Sequence, residues 1–221
     1  LIREWTKDPD PYRDVKAQST SDALRLYPTL KKMVSSSPTP FETAVRVAIA
    51  GNIIDVISTE PWDLAASVDR AVAHPLAINN IPRLANAINQ APWVLYLADN
   101  AGETVFDRVL IEEMSVPVKY AVKGGPIAND ATVDDALAAS VTQVAEVVDT
   151  GYRAWGGMRD LASDRFLDLY DRATVIIAKG MAHYETLSDE GDRLFFLLQA
   201  KCEVVAGELG VAKGSVVVKR G

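Results

Sequence analysis

Four side chains of this 221-residue chain stand just beyond short apolar runs: Asp99 and Asn100 after Val94-Leu95-Tyr96-Leu97-Ala98, Asp130 beyond Val118-Lys119-Tyr120-Ala121-Val122, and Lys179 after Val175-Ile176-Ile177-Ala178. Two carboxylates and an amide oxygen form a hard-donor set. Magnesium or manganese prefers such oxygens, with water and a substrate phosphate completing the shell. An ammonium group beside the open backbone of Gly180 suits the phosphate itself, and Lys123-Gly124-Gly125 repeats that pairing. Neighbouring residues of a regular strand point to opposite faces, so Asp99 and Asn100 converge only where the chain has begun to turn. The small Ala101 and Gly102 permit that turn.

Each group also has a plainer reading. Asn100 with Glu103 three residues on is a capping box for a helix running to Met114, and on spacing alone that reading has the edge. The two are compatible, because a capping turn still aims Asp99 outward. Asp130, Asp134 and Asp135 fit the first turn of a helix, stabilised by its dipole, and Asp134 and Asp135 are assigned there. A single lysine in a loop is more often a solvated charge. Asn52 and Asp55 share a face of an apolar helix, where an unpartnered polar group costs about 1–3 kcal/mol. They therefore bond a neighbouring loop or line an active site. His183 is a candidate general acid, and Glu185 a candidate to orient a substrate hydroxyl or a lysine, or else a helix cap. With only two histidines, a histidine-rich metal site is excluded.

The elements that must position these groups follow from periodicity. Apolar residues at three- and four-residue spacing predict helices over 15–33, 41–57, 64–73 and 81–88, punctuated by Ser36 to Pro40, Glu60-Pro61 and His74-Pro75. From Pro92 onward, β-rich runs at 93–98, 116–122, 144–148, 174–178, 194–198 and 215–219 alternate with helical segments. That alternation predicts an α/β protein with a mostly parallel, doubly wound sheet covered on both faces. A helical portion over 1–90 packs on a core over 91–221, the whole forming one compact unit. Ligands of such sheets bind beyond the carboxyl ends of the strands, where Asp99, Asp130 and Lys179 fall.

Composition narrows the classes. With 23 basic and 30 acidic residues the net charge is −7 and no basic block occurs, which argues against nucleic acid. No apolar run approaches the roughly 18 residues of a membrane span. The single Cys202 has no partner for a disulfide or a cysteine zinc site within one chain. No leader pattern opens the sequence, so a cytoplasmic protein is expected, and the start at Leu1 suggests a fragment of a longer chain. An aspartyl-phosphate phosphatase would carry a second Asp where Ala101 stands. The dinucleotide glycine turn, the Walker loop and the serine elbow are absent. Oligomeric state is not legible.

Taken together, Asp99-Asn100-Ala101-Gly102-Glu103, Asn129-Asp130-Ala131-Thr132 and Lys179-Gly180, in this order, resemble the metal-dependent damage-control phosphatases, a family formerly known as a domain of unknown function. Asp10-Pro11-Tyr12, the stretch from Ala48 to Asp55 and the helix around Phe106-Asp107-Arg108 resemble its prokaryotic branch, and the similarity runs over nearly the entire chain. The resemblance implies a three-layer α/β/α core and a phosphatase supported by manganese, magnesium, cobalt or nickel. It implies Asp99, Asn100 and Asp130 as metal ligands, Lys179 as the phosphate-side lysine, and Asn52, Glu103 and Lys123 as pocket residues. Gly180, His183 and Glu185 complete the expected substrate contacts. Two features depart from the family: Ala182-His183 replaces the usual small residue and asparagine, and the cysteine-bearing segment of the prokaryotic branch does not precede Leu1.

The implied chemistry is hydrolysis of a small phosphorylated metabolite, such as a sugar phosphate or a phosphopantetheine derivative. The cation would sit on a phosphoryl oxygen, with Lys179 and Lys123 on the others. Whether water or the Asp99 carboxylate attacks is left open. Two alternatives stand beside it: an S-adenosylmethionine-dependent carboxyl methyltransferase, disfavoured by the lack of a glycine-rich first turn, and a non-catalytic sugar-phosphate-binding protein.

Overall fold

Small and apolar side chains recur along one face of residues 13–35, and they fold as helix α1 (Arg13–Ser35), which buries Ala23, Leu30 and Val34. Pro40, whose missing N–H costs nothing at a first position, opens α2 (Pro40–Ile53). The computed structural model describes Trp5, residues 7–53, Val68, Asp69 and residues 72–221. Asp55 and most of the segment expected as helix over 64–73 lie outside the described residues.

The later elements are β1 (Leu76–Asn79), α3 (Ile81–Gln90), β2 (Val94–Leu97), α4 (Glu103–Ile111), β3 (Val118–Val122), α5 (Val133–Ala138), β4 (Glu146–Asp149), α6 (Asp164–Arg172), β5 (Ile176–Lys179), α7 (Gly180–Leu187), β6 (Leu194–Gln199), α8 (Glu203–Leu209) and β7 (Val216–Arg220). They build one seven-stranded sheet in the order β1-β7-β6-β5-β2-β3-β4. All neighbours are parallel except β6 and β7. The mostly parallel α/β architecture is therefore the one expected. One strand differs: β1 lies within the stretch read as helical. Four residues with alternating burial, pairing only with β7 at the sheet edge, are too few to show a period of their own.

Every residue of β2 is buried, as a strand covered on both faces must be. On one face Val94, Tyr96, Tyr120 and Ile177 pack against α1 to α4. On the other, Leu95, Leu97, Ile176 and Phe196 pack against α6, α7 and α8. The three layers follow from this alternation. Among the described residues, no helix is long and apolar enough to cross a membrane.

Strand order reverses beside β2. The chain moves outward from β2 through β3 to β4, then returns to place β5 on the other side of β2. A crevice opens at such a switch point, outside the strands' carboxyl ends, because the two following connections diverge to opposite faces. Asp99 leaves β2 and Gly180 leaves β5 at that crevice.

Candidate functional site

The turns after β2 and β3 are stitched together. Ala131 N–H donates to the Asp99 carbonyl at 2.8 Å, Ala101 N–H to the Asn129 carbonyl at 2.9 Å, and Lys123 N–H to the Ala131 carbonyl at 2.9 Å. Asn100 and Asp130 face each other across an isolated antiparallel bridge. These backbone bonds bring side chains 30 residues apart in sequence to one place, and they hold Asp99 beside them.

Glu103 then orders the amides. Its Oε1 accepts Asn100 Nδ2 at 2.7 Å and Asn52 Nδ2 at 2.9 Å, and Asn52 Nδ2 also reaches Asp99 Oδ2 at 2.9 Å. The capping box offered by Asn100 and Glu103 does not form: Gly102 precedes α4 without a side-chain cap, and the two side chains bond each other. With its nitrogen committed to Glu103, Asn100 keeps its carbonyl oxygen for an incoming group. Asn52 Oδ1 is buried without a hydrogen-bond partner among the described residues.

Lys179 takes a position different from the phosphate contact expected of it. It is fully buried, and its Nζ donates to the Ala48 carbonyl at 2.8 Å, Glu103 Oε2 at 2.8 Å and Asp107 Oδ1 at 2.7 Å. An ammonium group has three hydrogens, and three acceptors take them. Burial alone would lower its pKa, but Asp107 and Glu103 outweigh that and raise it, so it stays charged. Asp107, also fully buried, accepts Tyr96 Oη on Oδ1 and Tyr120 Oη on Oδ2, both at 2.7 Å.

Lys123 is nearly as buried. Its Nζ donates to the Gly156 carbonyl at 2.7 Å and lies 3.7 Å from Asp130 Oδ2. Loss of water pulls its pKa down, against the attraction of Asp130 and Asp99. Burial lifts Asp130 to about 6; Lys123 opposes the rise, and Glu103 adds to it. Asp99, half-buried, is held well above the usual carboxylate range by desolvation first, then by Glu103 and Asp130, while Lys179 and Lys201 pull the other way.

His183 Nδ1 lies 2.7 Å from the Lys179 carbonyl, an acceptor, so that nitrogen carries the hydrogen. Burial and the nearby Lys123 depress the ring's pKa to about 3. At neutral pH His183 thus offers a lone pair on Nε2, which is not the protonation state of a general acid. Glu185 is exposed on α7, and among the described residues no hydrogen bond or ion pair ties it to the cluster. Gly180, at φ +79°, lies directly against the Asp99 carboxylate.

Three participants were not singled out from the sequence. Lys201, half-buried beyond the carboxyl end of β6, acts electrostatically on Asp99, and no hydrogen bond or ion pair of its Nζ occurs among the described residues. The signal was present, since a lysine follows a fourth strand end much as Lys179 follows the third. Asp107 and its tyrosines were also legible in part: Asp107 lies four residues after Glu103, on the same helix face. Lys16 is the third. It is buried between Asp10 Oδ2 at 3.2 Å and Asp135 Oδ2 at 3.0 Å, and Asp135 also accepts Thr132 N–H and Oγ1. This pins α1 to the segment carrying Asp130 and gives Asp10-Pro11-Tyr12 its structural reason. A cavity of about 630 Å³ opens next to it, lined by Lys16, Thr20, Lys123, Gly125, Thr132 and Asp135 among others.

A divalent cation fits the donor chemistry. Glu103 raises the cost of charging both Asp99 and Asp130, Asp130 adds to that cost at Asp99, and the Asn100 side-chain oxygen accepts no hydrogen bond among the described residues. Among the described residues, no three His, Cys, Asp or Glu side chains form a metal-holding group, so a cation here would use the mixed carboxylate and amide set.

A crevice at a switch point of a doubly wound sheet is where ligands of this architecture bind. The chain belongs to the damage-control phosphatase family: residues 1–217 match the Damage-control phosphatase ARMT1-like domain. It is 39% identical to a damage-control phosphatase of Pyrococcus horikoshii, over 96% of this chain and 75% of that protein. It is also 39% identical to a damage-control phosphatase of Archaeoglobus fulgidus, over 95% of this chain and 75% of the relative. A crystal structure of a DUF89 family protein from Pyrococcus horikoshii superimposes with a TM-score of 0.90 at 37% identity, covering 99% of this chain and 78% of that one.

Proposed function

We propose that this protein hydrolyses small phosphomonoesters, sugar phosphates or related phosphometabolites, in a reaction that depends on a divalent cation held by Asp99, Asn100 and Asp130. The observation that supports the reading is the backbone bridge between Asn100 and Asp130, which brings the turns after β2 and β3 side by side. Manganese, magnesium, cobalt or nickel, when bound, would polarise the phosphoryl group and offset its charge.

The chain's own residues do the rest. Asn52 and Glu103 hold Asp99 and Asn100 in orientation, and Lys123 holds Asp130. Lys201 takes the phosphate-side role expected of Lys179, because it is a half-buried lysine near Asp99 with an ammonium group uncommitted among the described residues. A cation so placed stabilises charge on the transferring phosphoryl oxygens. His183 accepts a substrate hydroxyl. Both the cytoplasm as location and a small phosphorylated metabolite as partner belong to this reading.

The test is Asp130→Ala in a phosphate-release assay on para-nitrophenyl phosphate with each of the four metals. Loss of metal-dependent turnover in a folded variant supports the reading. Undiminished turnover refutes it, and binding of sugar phosphates without any release by the wild type would favour a sensor.

A further inference from the structure

Between the sheet and the candidate cation site runs a chain of charged and polar groups, all buried except half-buried Asn100 at its end. Tyr96 on β2 and Tyr120 on β3 each donate a phenolic hydrogen to Asp107, one to each carboxylate oxygen. Asp107 Oδ1 also accepts Lys179 Nζ, and Lys179 gives its remaining hydrogens to the Ala48 carbonyl and Glu103 Oε2. The other oxygen of Glu103 accepts the amides of Asn100 and Asn52. Every link is 2.7 to 2.9 Å long.

The direction of the last link matters. An asparagine amide has two ends of nearly equal size, and only its oxygen can ligate a cation. Glu103 accepts from the nitrogen and so decides which end faces the site, provided its own carboxylate stays charged and fixed. Lys179 supplies that charge balance, and Lys179 in turn is held by Asp107, the second of the two carboxylates its buried ammonium pairs with; losing either leaves that buried charge less compensated. The tyrosines anchor Asp107 to two adjacent strands of the sheet.

We propose that Asp107 is a positioning residue: it touches neither cation nor substrate, and through Lys179 and Glu103 it holds Asn100 with its carbonyl oxygen toward the cation. This rests on the reading of Asn100 as a cation ligand. The alternative is a buried polar cluster that stabilises the fold alone. The two differ in what they do to cation affinity. A group that orients a ligand changes metal affinity on the order of 10-fold to 100-fold, whereas a purely structural group lowers stability and leaves the affinity of the folded protein alone.

The experiment titrates metal-free protein with Mn²⁺ and follows the spin-resonance signal of the free ion, with a melting curve of each metal-free protein alongside. Asp107→Asn keeps the size of the side chain and removes its charge. It should weaken Mn²⁺ binding roughly 10-fold or more at a temperature where the variant is folded. The double substitution Tyr96→Phe with Tyr120→Phe should weaken it by a smaller factor, and it decides the question if Asp107→Asn does not fold. Wild-type affinity in the folded variant that decides the question overturns the positioning role. Failure of the wild type to take up Mn²⁺ overturns the cation reading itself, and the inference with it.

Discussion

The Asp99 carboxylate occupies the space a side chain on Gly180 would need: a β-carbon there would lie 2.0 Å from Asp99 Oδ2. The same glycine has φ +79°, a left-handed conformation that costs about 1–3 kcal/mol for a residue with a β-carbon. The end of β5 is thus shaped around the acid at the end of β2.

Gly180→Ala should therefore do two things. It should lower unfolding free energy by about 1–3 kcal/mol in urea denaturation, and it should displace Asp99, cutting Mn²⁺ affinity about tenfold or more. A variant that keeps wild-type affinity would show that Asp99 is not where the cation binds.

Lys179 and Lys201 are separated by a pair of substitutions. Lys179→Met leaves Glu103 and Asp107 buried without their cation, a loss of about 3–5 kcal/mol of stability. Lys201→Met, at a half-buried position with no ion pair among the described residues, should change stability by less than about 1 kcal/mol. It should nonetheless lower kcat/KM for a phosphomonoester at least about tenfold, as expected when a cation that stabilises the transition state is lost. The reverse pattern would return the phosphate to Lys179.

His183 gives a pH signature. In the unfolded chain its imidazole takes a proton below about pH 6.5, while in the folded protein burial, then Lys123, hold the pKa down to about 3 against the hydrogen bond to Lys179. Between these values the unfolded state binds more protons. The contribution of neutral His183 is fully present above the unfolded pKa and is lost as pH falls toward about 3. His183→Asn lacks this dependence. The stability of wild type relative to the variant should fall by about 2 kcal/mol between pH 7 and pH 5, read from urea denaturation of metal-free protein, and a difference independent of pH would contradict the buried neutral ring.

Much of this was visible in the sequence because long-range order was set by local pattern. The runs ending at Ala98, Val122 and Ala178 are strands within one or two residues of their observed ends, and a parallel sheet then puts Asp99, Asp130 and Lys179 on one edge. Periodicity fixes which edge a side chain occupies but not how far it reaches. Lys179, at a strand end, could extend outward to a phosphate or fold back under the turn. Asp107 and Glu103 on one helix face draw it back, and that is a tertiary fact. His183 was readable as an acid or base, but its protonation depends on burial and on Lys123, from a different strand end. The Lys16 clamp joins residues 119 positions apart, and no local pattern signals it.

The central claim is that Asp99, Asn100 and Asp130 hold one divalent cation together. Crystals soaked in Mn²⁺ and measured near the manganese edge test it directly. A single anomalous peak within coordination distance of all three side chains is the expected result, and no peak there, or one at a site that excludes Asp130, would contradict the account.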